Sequence, residues 1–155
     1  MARAVSPVVG LTLLIGITVT LGTLVGLGTV GLVGPEASPD RPVRLSGSVS
    51  AETWTIDLRH EAGPPIDVGE LTLRIEVDGQ PLTHQPPIPF FAATGFRSET
   101  TGPFNPSADQ RWTVGERTSL RIAGTNSPSI EEGSRVTIRI DRNGDALVRL
   151  DLVAA

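Results

Sequence analysis

Between Arg3 and Glu36 the chain carries no Asp, Glu, Lys or Arg. The run VSPVVGLTLLIGITVTLGTLVGLGTVGLV, Val5 to Val33, is twenty-nine residues long. As a helix rising 1.5 Å per residue it would reach about 43 Å, beyond the roughly 20 residues that cross a hydrocarbon core. Such a segment needs a bilayer or an equally apolar partner. Gly34-Pro35 stops the pattern and Glu36 to Pro42 (EASPDRP) reads as a polar linker. Residues 43–155 are about one small domain in size.

The run does not fit an ordinary secretory signal. Its apolar core exceeds the 7–15 residues of a signal peptide, and LVGPEASPD puts Pro35 and Glu36 where a small-x-small cleavage site belongs. An uncleaved anchor would leave Arg3 inside and everything after Gly34 outside. Ser6 can cap the first turn, and Pro7 then sits at N1, where its missing N–H costs nothing. Glycines at 10, 16, 22, 26, 28, 31 and 34 alternate with threonines, and Gly22 with Gly26 forms a GxxxG step. Small residues let helices approach closely in an apolar medium. Each such glycine would cost a water-exposed helix about 1 kcal/mol against alanine.

The string RAVSPVVG, Arg3 to Gly10, leading into this Gly- and Thr-rich helix, resembles the N-terminal domain of archaeal type IV pilins, those of haloarchaea in particular. The resemblance covers about thirty residues. Beyond them, HEAGPPIDVGELTLRIEVDG (His60 to Gly79), WTVGERTSL and EEGSRVTI look like the ectodomains of that family. It implies that residues 1–4 are a leader, which a prepilin peptidase removes on the cytoplasmic side by cutting between Ala4 and Val5. Arg3, Ala4 and Val5 would then be the processing residues, and Ser6, Pro7, Gly10, Gly22 and Gly26 would start and pack the helix. The leader is short, with a single Arg. The acidic residue near the mature start of bacterial type IV pilins is absent, as it commonly is in archaeal members.

The rest of the chain reads as β. Thr53–His60, Glu70–Val77, Arg117–Ala123, Ser134–Asp141 and Ala146–Val153 alternate apolar and polar residues. Trp54, Ile56 and Leu58 are expected to face a core, together with Leu71, Leu73, Ile75 and Val77. Pro- and Gly-rich gaps separate the strands. The expected fold is a mainly β ectodomain, a small antiparallel immunoglobulin-like β-sandwich, behind a single N-terminal hydrophobic α-helix. In the last hairpin, a two-residue turn at Asn143-Gly144 would set Ile140 against Leu147 and Ile138 against Arg149. A three-residue turn over Arg142, Asn143 and Gly144 instead pairs Ile140 with Ala146, Ile138 with Val148 and Val136 with Leu150, so that both apolar faces agree. That register, with Arg135 opposite Asp151, is the expected one.

Composition excludes several functions. No cysteine is present, so disulfides and thiol chemistry are absent. All thirteen basic residues are Arg, and a net charge of −4 argues against a nucleic-acid or anionic-membrane binder. Asn105 and Asn126 both lose the N-glycosylation sequon to a proline. No GxSxG elbow, P-loop or dinucleotide fingerprint occurs. His60 and His84 are the only histidines, and HEAGPP after His60 cannot continue as a zincin helix. His60 ends a strand at inward parity and reads as a hydrogen-bonded structural residue. Asp141-x-Asn143-x-Asp145 imitates a calcium loop, but Ala146 and Leu152 stand where Gly and a bidentate Glu belong. No metal or cofactor is expected. Glu131-Glu132 before Gly133 reads as a solvated turn. Pro86 to Phe96 (PPIPFFAATGF) holds three of four phenylalanines, with core filling as the first reading and an exposed contact patch as the second.

The expected protein is a structural subunit, not an enzyme. As the resemblance implies, the precursor sits in the cell membrane with its N-terminus cytoplasmic. After processing, the helix packs with its copies in the core of an extracellular filament while the β domain forms an adhesive coat. Its partners would be itself or related pilins, the peptidase, an assembly ATPase with its platform protein, and the membrane before assembly. The alternative is a single-pass membrane protein whose extracellular sandwich binds a partner without polymerising.

Overall fold

A computed structural model describes residues 9–15, 17–18 and 42–155. The chain divides into two units, residues 1–39 and 40–155. In the first, residues 9–15 and 17–18 are α-helical and exposed. Their faces are apolar all round: Val9, Leu11, Leu13, Leu14, Ile15 and Ile17 are each about half exposed or more. The threonines turn inward on the helix itself, Thr12 Oγ1 donating to the Val9 carbonyl and Thr18 Oγ1 to those of Leu14 and Ile15. No helix among the described residues is long and apolar enough to cross a membrane.

The second unit is mainly β. Its strands are β1 (Arg44–Ser50), β2 (Thr55–Ala62), β3 (Ile66–Asp67), β4 (Leu71–Val77), β5 (Gln80–Pro81), β6 (Arg111–Trp112), β7 (Arg117–Arg121), β8 (Arg135–Arg142) and β9 (Asp145–Val153). They form three antiparallel sheets, β1-β2-β7, β3-β6 and β5-β4-β8-β9. The period-two alternation does the sorting. Leu71, Leu73, Ile75 and Val77 on β4 meet Ile140, Ile138 and Val136 on β8 and are all buried. Ile56, Leu58 and Leu120 are the buried residues of the β2–β7 pairing. Both sets belong to one core running from Leu45 to Ala154. All of that core lies within residues 40–155, so this unit carries what it needs to fold by itself.

Four sequence expectations are corrected. Trp54 precedes its strand in the left-handed region (φ 52°) and is half-buried; it packs against the core as expected, but from the rim and not from within β2. Strand β1 was not expected, because RLSGSVS offers only Leu45 and Val49 as inward apolar residues. Gly47 lies between them, where an added Cβ would crowd Leu58, the Asp57 carbonyl and Leu152. The strand is poor in apolar residues because it is closely covered.

The third and fourth corrections concern the last hairpin. The turn has two residues, with Arg142 opposite Asp145 and both Asn143 (φ 53°) and Gly144 (φ 92°) in the left-handed region that a type I′ turn requires. The register then shifts between Ile140 and Asp141, skipping Leu147 as a bulge. Beyond it Ile140 pairs with Val148, Ile138 with Leu150 and Val136 with Leu152. Facial agreement is thus reached by a tight turn plus a bulge instead of a longer turn. Asp151 consequently lies opposite Thr137, and Arg135 opposite Val153.

Between β5 and β6 runs a long irregular segment held by side chains. Asn126, buried, donates to the carbonyls of His84 and Gly95 and accepts from the His84 amide. Asn126→Ala leaves the His84 amide and carbonyl and the Ser127 amide without their partner, while the Gly95 carbonyl keeps the Ala123 amide. It is expected to lower stability by about 2–3 kcal/mol, read as a shift of the denaturant midpoint at unchanged slope.

Candidate functional site

The processing and packing residues expected at the N-terminus, Arg3, Ala4, Val5, Ser6, Pro7, Gly22 and Gly26, lie outside the described residues, as do most of the Val5–Val33 helix and the linker. Gly10 is described. It is helical and exposed, with no other group near the place a Cβ would take.

His60 is fully buried. Its Nδ1 lies 3.1 Å from the Trp112 carbonyl and its Nε2 3.0 Å from that of Ala62, with the Trp112 ring 5.9 Å away. Both nitrogens face carbonyls, to one of which a neutral ring can donate; with no access from solvent, the ring is a strut between β2 and the Trp112 segment. His84 is half-buried and acts through its backbone. Asp141, Asn143 and Asp145 serve the β8–β9 turn, and no cluster of three metal-ligating side chains occurs among the described residues. Phe90, Phe96 and Phe104 fill the core, whereas Phe91 is 61% exposed. The segment from Pro86 to Phe96 is therefore core filling with one aromatic left outside. Glu131 and Glu132 are exposed on a turn closed by Ser134, whose Oγ accepts from the Glu131 amide.

The most organised polar surface is the outer face of β4, β8 and β9. Three arginines stand in one cross-strand row, Arg74 opposite Arg139 opposite Arg149. The next row holds Glu76, Thr137 and Asp151, and the row on the other side holds Thr72 and Asp141. Like charges placed opposite one another on a sheet destabilise it, so the row is held by its neighbours. Arg139 Nη2 is 3.7 Å from Glu76 Oε1, and Arg149 Nε is 3.2 Å from Asp151 Oδ2. Arg74 has no carboxylate at ion-pair distance among the described residues. A shallow depression of about 720 Å³ opens here, lined by Glu76, Arg135, Thr137, Arg149, Asp151 and their neighbours.

The hydrogen bond from Thr137 Oγ1 (2.7 Å), followed by that from Arg149, holds the Asp151 carboxyl below its ordinary range, and Asp151 in turn raises Arg149. A depressed carboxylate stabilises the fold above the unfolded-state pKa of Asp, and the effect is lost as pH falls through the lower folded value. Both groups are exposed, so the contribution is small. Thr137→Val removes the largest cause, and the Asp151 titration followed by NMR is expected to move upward.

Sequence reasoning did not single out this face. Its signal lies in three repeated patterns, Leu73-Arg74-Ile75, Ile138-Arg139-Ile140 and Val148-Arg149-Leu150, each presenting an Arg outward between two apolar residues. Only the correct register shows that the three align.

No known protein-family model matches the chain, and no curated protein matches it either.

Proposed function

We propose that this chain is a pilin-like structural subunit of a surface filament of the archaeal type IV kind, with residues 40–155 as an immunoglobulin-like sandwich on its outside. The observation that carries the reading is the order of features at the start of the sequence: a short leader ending in Arg3-Ala4, then VSPVVG, then an uncharged run to Val33. Two further observations support it. The described helical residues are apolar on every side and fold their threonine hydroxyls onto their own backbone, which suits an apolar surrounding. The β unit has a core of its own, and its titratable groups assemble no nucleophile–base pair or metal cluster among the described residues.

In this reading the chain starts in the membrane and the peptidase cuts before Val5. Helices that lipid no longer covers are then driven together by burial of apolar area. The decisive measurement is the N-terminal sequence of protein from native membranes and from sheared surface material. A mature chain beginning VSPVVG in the sheared fraction is the expected result, and Ala4→Asp is expected to leave the leader in place and the chain in the membrane. An intact leader found only in the membrane would overturn the proposal in favour of a single-pass anchor bearing a binding domain.

A further inference from the structure

We propose that the outer face of β4, β8 and β9 is self-complementary and docks a second copy of this chain about a twofold axis. The inference rests on the register of the sheet and is independent of the filament reading.

Along the strands the charged rows follow one another at about 6.6 Å, two residues of strand rise. Their order is Arg135, then Glu76 with Asp151, then Arg74, Arg139 and Arg149, then Asp141. Apart from Asp78 at the edge of the first row, the signs run plus, minus, plus, minus. Read backwards, the same series is minus, plus, minus, plus. A twofold axis lying in the plane of contact, parallel to the rows and midway between the second and third, reverses the rows while keeping each strand over its own copy. Arg74 then faces the partner's Glu76, Arg149 faces the partner's Asp151, and Arg135 faces the partner's Asp141. Symmetry repeats each pair, as an isologous interface requires. Arg139 meets the partner's Thr137 and brings no repulsion. No other shift of rows by one step keeps all three oppositions.

Charge balance selects this occupant over an anionic ligand. The strands place four guanidinium groups on the face (Arg74, Arg135, Arg139, Arg149) and three carboxylates (Glu76, Asp141, Asp151), and Asp78 accepts from the Arg135 amide at its edge. A face so close to neutral, on a chain of net charge −4, does not gather polyanions. A second copy with the same bands in reverse meets each of these strand charges with its opposite, except that of Arg139, which faces Thr137.

The area bounds the strength. Three strands at about 4.8 Å spacing and about 23 Å of length give roughly 300 Å² per copy, well under the total of about 1,200 Å² at which standard interfaces begin. The pairing is therefore weak and steeply salt-dependent, and becomes substantial only where copies are concentrated.

The test uses residues 40–155 in sedimentation equilibrium at about 0.01 M and about 1 M salt, between which the screening length falls from about 30 Å to about 3 Å. The wild type is expected to dimerise at low salt and to lose about tenfold or more in affinity at high salt. Arg149→Asp places two like-charge contacts in the interface and is expected to abolish the dimer. The fourfold exchange Arg74→Glu, Glu76→Arg, Arg149→Asp and Asp151→Arg keeps composition and restores every opposition within its own dimer. It is expected to self-associate like the wild type and to exclude wild-type chains from mixed dimers. A wild type monomeric at low salt overturns the proposal. So does an exchanged variant, folded by circular dichroism, that stays monomeric or that mixes freely with wild type. Binding of a sulfated polysaccharide to a wild type that stays monomeric would assign the arginine row to an anionic ligand instead.

Discussion

Trp112→Ala is expected to lower the stability of the β unit by about 3–5 kcal/mol, the largest loss from any single truncation in the core. Three roles meet at this residue, two of them in its side chain. It is fully buried, and its ring packs edge-on to Phe104 at 5.3 Å and against His60 at 5.9 Å. Its indole N–H donates to the Glu116 carbonyl at 3.1 Å, and that carbonyl also accepts from the His60 amide. Its main-chain carbonyl lies 3.1 Å from His60 Nδ1. Truncation opens a cavity large enough to loosen Phe104 and His60 together, and the β3–β6 pair, in which Trp112 lies opposite Ile66, loses its inner side chain. At about 4 °C per kcal/mol, thermal unfolding of residues 40–155 should fall by roughly 15 °C. Trp112→Phe keeps most of the volume, losing the N–H and the second ring, so it should cost less than half as much. Equal losses for the two variants would show that the hydrogen bond, not the packing, carries the effect.

Gly102→Ala is expected to be nearly as damaging, although it removes nothing. Gly102 has φ +61°, and a Cβ there would overlap the Arg117 carbonyl oxygen and press on the Arg117 and Thr118 backbone. The obstruction is main chain of β7, which cannot rotate away as a flexible side chain would. A shift of that strand would break the bridge from Thr101 to Ser119, where the Thr101 amide donates to the Ser119 carbonyl and Thr101 Oγ1 lies 2.7 Å from Ser119 Oγ. The bond from Thr118 Oγ1 to the Thr101 carbonyl would go with it. Left-handed backbone strain adds about 1–2 kcal/mol. The expected total is about 3–4 kcal/mol, read from chemical denaturation. By contrast Gly115→Ala, also at positive φ (92°) but with open space around it, should cost only the backbone strain. If the two alanine variants were equally stable, the close approach of Gly102 to β7 would be disproved.

The contrast between these two glycines marks how far the sequence could be read. Alternation located β2, β4, β7, β8 and β9 because their inward positions are Ile, Leu and Val with polar residues between, a pattern only a half-buried strand explains. It missed β1, whose inward position 47 is a glycine because another strand comes too near for a side chain. It also missed β3, β5 and β6, two-residue pairings too short for any period to register. His60 was legible as structural because parity placed it inward, but its second carbonyl partner comes from Trp112, fifty-two residues away. Asn126 gave no signal, since its role depends on bringing His84 and Gly95 together. In the last hairpin Asn143-Gly144 stated its turn type correctly. The conflict between that turn and the apolar faces was real, and the chain resolves it by the bulge at Leu147, which a rule allowing only one register cannot express. The arginine row depends on that same register and became visible only with it.

The bulge at Leu147 also bears on solubility. Strand β9 is a nine-residue sheet edge, the kind of exposed template that recruits further strands into fibrillar aggregates. At its start the bulge and the left-handed turn bend the strand out of line, so no long flat edge is offered. At its end the Ala155 amide donates to the Val49 carbonyl while its carbonyl accepts from the Ala51 amide, tying the terminus to β1. Between these ends Arg149 and Asp151 stand as charged gatekeepers. Copies of this unit can therefore be crowded side by side without their sheets fusing into one.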